Sequence, residues 1–511
     1  MNLLKSLART SSMTMVSRVL GLVREVINSH QFGANAAMDA FVVAFRLPNM
    51  FRRVFAEGAF SQAFVPVLAE YKTQAGEDKT RDFIADVSGF LTVILAIFTV
   101  IGVLAAPWVV YLFASGFKST PGKMELATYL TRITFPYIFL ISLSSMAGSI
   151  LNTWNQFAIP AFTPTLLNVS MIVCGLFLAP HLEEPIVALA ISVALGGILQ
   201  LGFQLPYLAR IKMLPLPALR WHDSGVRRVV LLMLPAIFGV SVQQISMLLN
   251  TIFASWLPDG SLSWMNYADR LMELPAGVLG VALGTILLPN LSKLKASGDG
   301  EGYSATLDWG LRLCFLLAVP ATVALALMAK PIIATLFMSG KFQPFDVLMT
   351  ARSLMAYAVG LIAIIGIKIL APAYYARQDV VTPVKIGVAT LIITQILNVL
   401  LIGPLAHAGL ALAISIGACF NMGCLYVGLR KMGVYRPVSG WGVFLAKLIC
   451  AVIMMAGTLW FGQQWLGDFI HVGKLLQVLK LSLLVVAGGS VYFVTLLILG
   501  FRPNHFSRQS A

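Results

Sequence analysis

The chain has 511 residues, of which 58% are hydrophobic and 11% charged, with a mean hydropathy of +0.85. A soluble chain carries roughly a quarter charged residues, so these charges are too few to cover a water-facing surface. The net charge is +15, from 36 Lys and Arg against 21 Asp and Glu, but the basic residues sit mostly in short connections between apolar runs. There they read as topogenic charge held on the cytoplasmic side, and no nucleic acid is expected as a partner.

The apolar runs recur at about 20 residues, enough to cross a hydrocarbon core roughly 30 Å thick. They do not alternate as barrel strands would, so the expected class is an all-α polytopic membrane protein. Met1–Arg9 is basic and leads into an apolar stretch with no small-residue cleavage site, so it reads as the first helix rather than a signal peptide. That helix, about 8–30, carries Arg18, Arg24 and Glu25, and a second, about 35–70, carries Asp39, Arg46, Arg52, Arg53 and Glu57. Asp39, Arg46, Arg53 and Glu57 are seven, seven and four residues apart, which places them on one face of a continuous helix. Clear spans follow at Phe90–Val110, Ala188–Leu208, Leu313–Met328 and Leu481–Leu499. Basic connections at Lys72–Arg81, Arg210–Arg228, Lys293–Lys295, Arg377–Lys385, Arg430–Arg436 and Arg502–Arg508 alternate with connections poor in positive charge around His181–Glu184, Asp259 and Asp468. Both termini then fall in the cytoplasm, which requires an even number of spans, about fourteen.

The string Ala-Leu-Ala-Ile-Ser occurs at Ala188–Ser192 and again at Ala411–Ser415, an offset of 223. Pro66 and Pro289 share it, while Thr163-Pro164 with Thr382-Pro383 and Arg46 with Arg270 fall close to it. The expected plan is two parallel six-helix repeats, 1–219 and 220–436, around a central cavity, with a C-terminal helix pair at 437–511.

Ionisable side chains inside spans are expensive and usually line water or pair with partners. In the second repeat Asp269, Arg270 and Glu273 stand within one turn, so Arg270 can reach Glu273 along its own helix. Asp39, Glu57 and Asp269 read equally well as internal ion-pair partners or as supporting cavity charges, and Glu273 as a further supporting charge. Arg18, Arg24, Arg46, Arg52, Arg53 and Arg270 favour contact with an anionic ligand. A planar guanidinium binds phosphate through two parallel hydrogen bonds, so the expected ligand is a phosphate or pyrophosphate. Gln243, Gln244, Ser246 and Asn250 offer sugar contacts or interhelical hydrogen bonds. Lys368 and Arg352 are expected to snorkel from helix ends, and Trp154, Trp256 and Trp264 to anchor at the interface. No phosphate-cradling loop, metalloprotease motif, nucleophile elbow or dinucleotide fingerprint is found, and the five cysteines show no metal-ligand spacing. Neither an enzyme nor a cofactor is expected.

Three stretches carry a resemblance: Ser12-Met-Thr-Met-Val-Ser-Arg-Val-Leu-Gly, Asp39-Ala-Phe-Val-Val-Ala-Phe-Arg-Leu-Pro-Asn, and Phe55-Ala-Glu-Gly-Ala-Phe-Ser-Gln-Ala-Phe-Val-Pro. With Tyr267-Ala-Asp-Arg-Leu-Met-Glu they resemble the MurJ (MviN) family of lipid II flippases, in the multidrug/oligosaccharidyl-lipid/polysaccharide exporter superfamily. The resemblance implies an inner-membrane flippase for the peptidoglycan precursor, working by alternating access and serving cell-wall biogenesis and cell shape. It implies lipid II and membrane lipids as partners, with the cell-wall synthesis machinery as a further candidate. It places Arg18, Arg24, Arg52, Arg270 and Asp39 in an essential cavity and assigns the polyprenyl tail to a groove formed by the last two helices. The family's Lys is replaced here by Arg46. The competing readings are a flippase for another lipid-linked glycan, a cation-coupled multidrug exporter, and a non-transporting membrane scaffold.

Overall fold

The computed structural model describes the backbone of residues 3–53, 60–214, 216–218, 220 and 224–501, and the side chains of these except 3–14, 235–236, 238–240, 243 and 281–286. Among the described residues there are helices and turns and no strands. The chain divides into two compact units, Met1–Ser263 and Trp264–Ala511.

The first unit runs α1 (Leu3–Phe32), α2 (Ala36–Phe51), α3 (Ser61–Gln74), α4 (Glu77–Leu104), α5 (Ala106–Phe113), α6 (Lys123–Thr134), α7 (Tyr137–Thr153), α8 (Ala158–Val173), α9 (Val187–Arg210) and α10 (Ser224–Ser255). Here α1 packs on α8, α2 on α6, and α9 on both α7 and α8. The packing boundary falls later than 219/220, where the sequence repeat divides, because α10 packs on α3, α4 and α5. Aromatic rings fill the contact of α3 with α4: Phe83 stacks on Phe64 at 5.8 Å and on Tyr71 at 4.3 Å. Gly102 lets α4 approach α6; a Cβ there would lie 1.8 Å from the Phe135 ring.

The second unit runs α11 (Ser261–Ala296, whose first turn belongs to the first unit), α12 (Gly300–Leu327), α13 (Ala329–Phe337), α14 (Pro344–Tyr375), α15 (Val381–Lys431), α16 (Trp441–Leu466) and α17 (Lys474–Ile498). α14 packs on α12 and α15, and α16 on α17. The 51-residue α15 is two helices joined across a kink at Ala406, where φ is 50° and ψ −129°. Two residues earlier Pro404 removes a backbone donor.

Nine helices among the described residues are long and apolar enough to cross a membrane, α6 and α7 counting as one and α15 as one. Large apolar side chains stay exposed along them, including Ile97, Val100 and Leu104 on α4 and Val485, Val486 and Phe493 on α17. Such surfaces suit lipid rather than water. The protein is therefore a multi-pass helical membrane protein.

Proline inside these helices frees a carbonyl four residues earlier, and lipid offers nothing to replace the lost donor. Neighbouring helices supply it. Pro48 frees the Ala44 carbonyl, which accepts 2.8 Å from Thr134 Oγ1 on α6. Pro320 frees the Leu316 carbonyl, which accepts 2.5 Å from Tyr492 Oη on α17.

The two units repeat one piece of local geometry. α4 and α12 are both 28 residues long and start 223 positions apart. Each is followed by one non-helical residue, Ala105 (φ −81°, ψ 1°) or Met328 (φ −97°, ψ 11°), and then by a short helix, α5 or α13.

Candidate functional site

The second helix expected over about 35–70 is described at 36–53 and 60–74, with 54–59 outside the described residues. α2 ends at Phe51, Arg52 and Arg53 lie in a π-helical turn, and α3 begins at Ser61. Pro48 weakens the hydrogen-bond ladder just before this point, and the wider turn shifts the helical register at Arg52 and Arg53. The single polar face therefore holds from Asp39 to Arg46 and not through Arg53. Glu57 lies outside the described residues.

Arg24 on α1 is 6% exposed. One guanidinium nitrogen donates to Asn168 Oδ1 on α8 at 2.9 Å, and the other pairs with the neighbouring Glu25. Asn168 is held in turn by its donation to the Ser17 carbonyl at 3.0 Å. The Arg24 Nε is buried with no hydrogen-bond partner among the described residues. Arg18, on the same helix, is half-buried and makes no ion pair among the described residues.

Asp39 is 1% exposed and sits at the centre of a second cluster. Asn35 caps α2 by accepting from the Met38 N–H, which fixes the turn that carries Asp39. The carboxylate accepts from Lys123 Nζ at 3.0 Å, Gly260 N at 2.7 Å, Ser263 N at 2.9 Å and Ser263 Oγ at 2.7 Å. Lys123 also reaches Asp259 Oδ1 at 2.7 Å and lies 4.2 Å from the centre of the Phe117 ring. A buried ion pair persists when further hydrogen bonds satisfy both partners, and here they do. Of the two readings open for Asp39 in the sequence, the described contacts are those of an internal ion pair tying α2 to α6.

Arg46 is two turns beyond Asp39, about 10 Å along the helix, and donates to Thr251 Oγ1 on α10 at 3.1 Å. Arg52 donates through Nε to Asn49 Oδ1 at 3.2 Å, and Arg53 is half-buried. In the second unit Arg270 pairs with Glu273 at 2.8 Å, as their spacing predicts. The two side chains are 34% and 45% exposed, so the pair faces open space. Asp269 beside it is half-buried.

Within the first unit the predicted residues thus form separate groups: Arg24 with Glu25, Asp39 with Lys123, and Arg46 with Thr251. Lys123, Asp259, Asn168, Thr251 and Ser263 were not singled out in the sequence. No spacing rule links Lys123 to an aspartate 84 positions away; its only local signal is a cation opening a helix directly after Pro121-Gly122.

Two further expectations are corrected. Trp264 is not an interfacial anchor: it is 5% exposed and donates through Nε1 to Asp346 Oδ1 at 2.9 Å. Lys368 does not snorkel outward: it donates to the Ala276 carbonyl on α11 at 3.1 Å. Asn250 and Gln244 are buried, and the Gln243 side chain lies outside the described residues. No group of His, Cys, Asp and Glu among the described residues has metal-binding geometry.

A family model described as lipid II flippase MurJ matches residues 28–482. A relative from Burkholderia cenocepacia named lipid II flippase MurJ is 47% identical over 517 residues, covering 100% of both chains. A Vibrio cholerae protein named probable lipid II flippase MurJ is 44% identical, over 98% of this chain and 97% of its own. Among solved structures, lipid II flippase MurJ in an inward closed conformation superposes with a TM-score of 0.80 at 26% identity, covering 96% of this chain and 98% of that one. An inward-facing multidrug resistance transporter of the MATE family shares the fold alone, with a TM-score of 0.69 at 15% identity over 84% of this chain and 98% of its own. The resemblance read from the four sequence stretches is borne out, and the chain belongs to the lipid II flippase MurJ family.

Proposed function

We propose that this protein flips lipid II, the lipid-linked peptidoglycan precursor, from the cytoplasmic to the periplasmic leaflet of the bacterial inner membrane, acting as a transporter rather than an enzyme. The observation that carries the reading is 47% identity along the full length of a relative named for that activity. The polyprenyl tail stays in lipid while the pyrophosphate and sugars cross by alternating access, in a chain built of two repeats of six spans. Helix bounds recurring at an offset of 223 support those repeats. Fourteen spans follow when α1, α2 with α3, α10 and α11 join the nine apolar helices and α15 counts as two.

Dehydrating a pyrophosphate without replacement donors would be prohibitive. Arg18, Arg24, Arg52 and Arg270 supply those donors, with Arg46 and Arg53 adding positive charge nearby. The buried Nε of Arg24, without a hydrogen-bond partner among the described residues, supports this role, as does the half-exposed Arg270–Glu273 pair, which can exchange its carboxylate for phosphate. Asp269 and Glu57 complete the supporting charges. With a cytoplasm-negative potential, each negative charge moved outward gains roughly 2.3 kcal/mol per 100 mV, so the potential favours export. A cation-coupled drug exporter fits less well, because it would favour a site of net carboxylate and aromatic character. The cell-wall synthesis machinery is the expected recipient of the product.

The test is complementation of a bacterium depleted of its own lipid II flippase, with externally exposed lipid II quantified. The intact chain should restore exposed lipid II, and Arg270→Ala at matched membrane level should not. Full activity in Arg270→Ala would remove the arginine mechanism. Failure of the intact, well-expressed chain would point to another lipid-linked glycan.

A further inference from the structure

The second unit contains a cavity of about 610 Å³ lined by three of its connections. Lys295 comes from the end of α11, Arg377 from the end of α14, and Arg436 from the segment between α15 and α16. All three connections are on the side read as cytoplasmic. Positive charge on that side is expected from topology alone. Topology, however, asks only for a count of cations and not for their convergence on one cavity.

In the first unit's connections the cations have mixed partners, Lys72 donating to the Thr153 carbonyl and lying over the Trp154 ring. There Arg81 pairs with Asp78, Arg220 lies 3.8 Å from both Asp82 and Asp86, and Arg228 pairs with Glu70 at 2.7 Å. Around the second-unit cavity, Lys295, Arg377 and Arg436 make no ion pair among the described residues. Apart from Glu301, which lines the cavity, the nearby carboxylates are committed elsewhere. Asp379, two residues from Arg377, caps α15 by accepting from the Thr382 N–H at 3.0 Å, and that bond holds its carboxyl below the usual aspartate range. Asp299 caps α12 by accepting from the Gly302 N–H at 2.7 Å. Asp308 accepts from Tyr435 Oη, Val438 N and Trp441 Nε1, and pairs with Arg312.

The backbone carrying the cations is fixed. Ser304 Oγ accepts from the Arg436 N–H at 2.8 Å and lies 3.0 Å from the Arg436 carbonyl. Tyr303 Oη donates 2.6 Å to the Ala373 carbonyl, anchoring the end of α14 one turn before Arg377. Three cations line a cavity whose two carboxylates are Glu301 and the helix-capping Asp299, and the excess of positive charge calls for an anion.

We propose that this cavity binds a phosphate-bearing ligand with a hydrogen-bond donor beside the phosphate, as in a glycerophosphate headgroup. Arg377, Arg436 and Lys295 contact the phosphate, and Glu301, which also lines the cavity, accepts from the adjacent donor. The site does not depend on which substrate the protein flips. An anionic phospholipid of the inner leaflet and a soluble phosphate ester share this chemistry, and two probes separate them.

The test measures thermal unfolding of the purified full chain in a neutral detergent at fixed ionic strength. The probes are dioctanoyl phosphatidylglycerol and glycerol 1-phosphate. At least one should raise the midpoint of the intact chain. In Arg377→Gln/Arg436→Gln the probe concentration needed should rise at least about tenfold. Lys295→Gln, at an exposed helix end, should show a smaller rise, and Arg352→Gln, exposed and away from the cavity, none. A response to the lipid alone identifies a headgroup; a response to both identifies the phosphate itself. An intact chain that neither probe stabilises would overturn the proposal. So would unchanged responses in both the double variant and Lys295→Gln.

Discussion

Four hydrogen bonds converge on the Asp39 carboxylate, and Lys123 supplies the only one from a charged donor. Removing Lys123 would leave a buried charge uncompensated, a loss of about 3–5 kcal/mol. Removing Asp259, whose side chain is 40% exposed, breaks a water-screened contact worth about 0–1 kcal/mol. Lys123→Ala should therefore lower the thermal midpoint of the purified protein far more than Asp259→Ala, and equal losses would contradict this account of the cluster. The same residues show where the sequence stops being legible. Arg270 and Glu273 were paired from spacing because one helical turn joins them. Asp39 could only be recognised as needing a partner, since helix packing alone brings Lys123 to it.

The elements are joined by backbone repair as much as by packing of apolar surface. Lipid does not drive apolar helices together, so a side chain that restores a carbonyl freed by proline carries unusual weight. Tyr492 does this for Leu316 and fastens α17 to α12. Tyr492→Phe keeps the ring and its burial but leaves the carbonyl unmatched. It should cost about 1–3 kcal/mol, read as a lower thermal midpoint with the helix content of the folded state unchanged. A midpoint equal to that of the intact chain would mean the carbonyl finds another donor. The prolines stand in the sequence, but the neighbours that restore the ladder do not show there. Within the helix expected over about 35–70, hydropathy likewise gave no sign of the π-helical turn at Arg52 and Arg53.

At the scale of the whole molecule, class and family were open to reading because they rest on composition, span length and motif, which act along the chain. The repeat was expected from scattered matches near one offset, and α4 and α12 start 223 positions apart. The packing boundary at Ser263 was not legible, because it depends on which helices α10 touches. The distribution of basic connections makes a global prediction about sidedness. Single cysteines introduced at Lys79 and at His181 into a cysteine-free background should react with an impermeant thiol reagent from opposite sides of the membrane. His181 should be reached from the periplasm; labelling of both from one side would break the fourteen-span reading.

The Asp39 cluster also has a consequence for biogenesis. Gly260, whose N–H is the first of three late donors to the carboxylate before Ser263 N and Oγ, is synthesised 221 residues after Asp39. At about 5–20 residues per second, the nascent chain waits roughly ten to forty-five seconds for it. During that interval α2 and α6 are already made, with a buried carboxylate short of donors. A ribosome stalled before Gly260 would thus release a membrane-inserted fragment marked by an unsatisfied charge, the kind of defect by which quality-control proteases can distinguish an unfinished chain from a finished one.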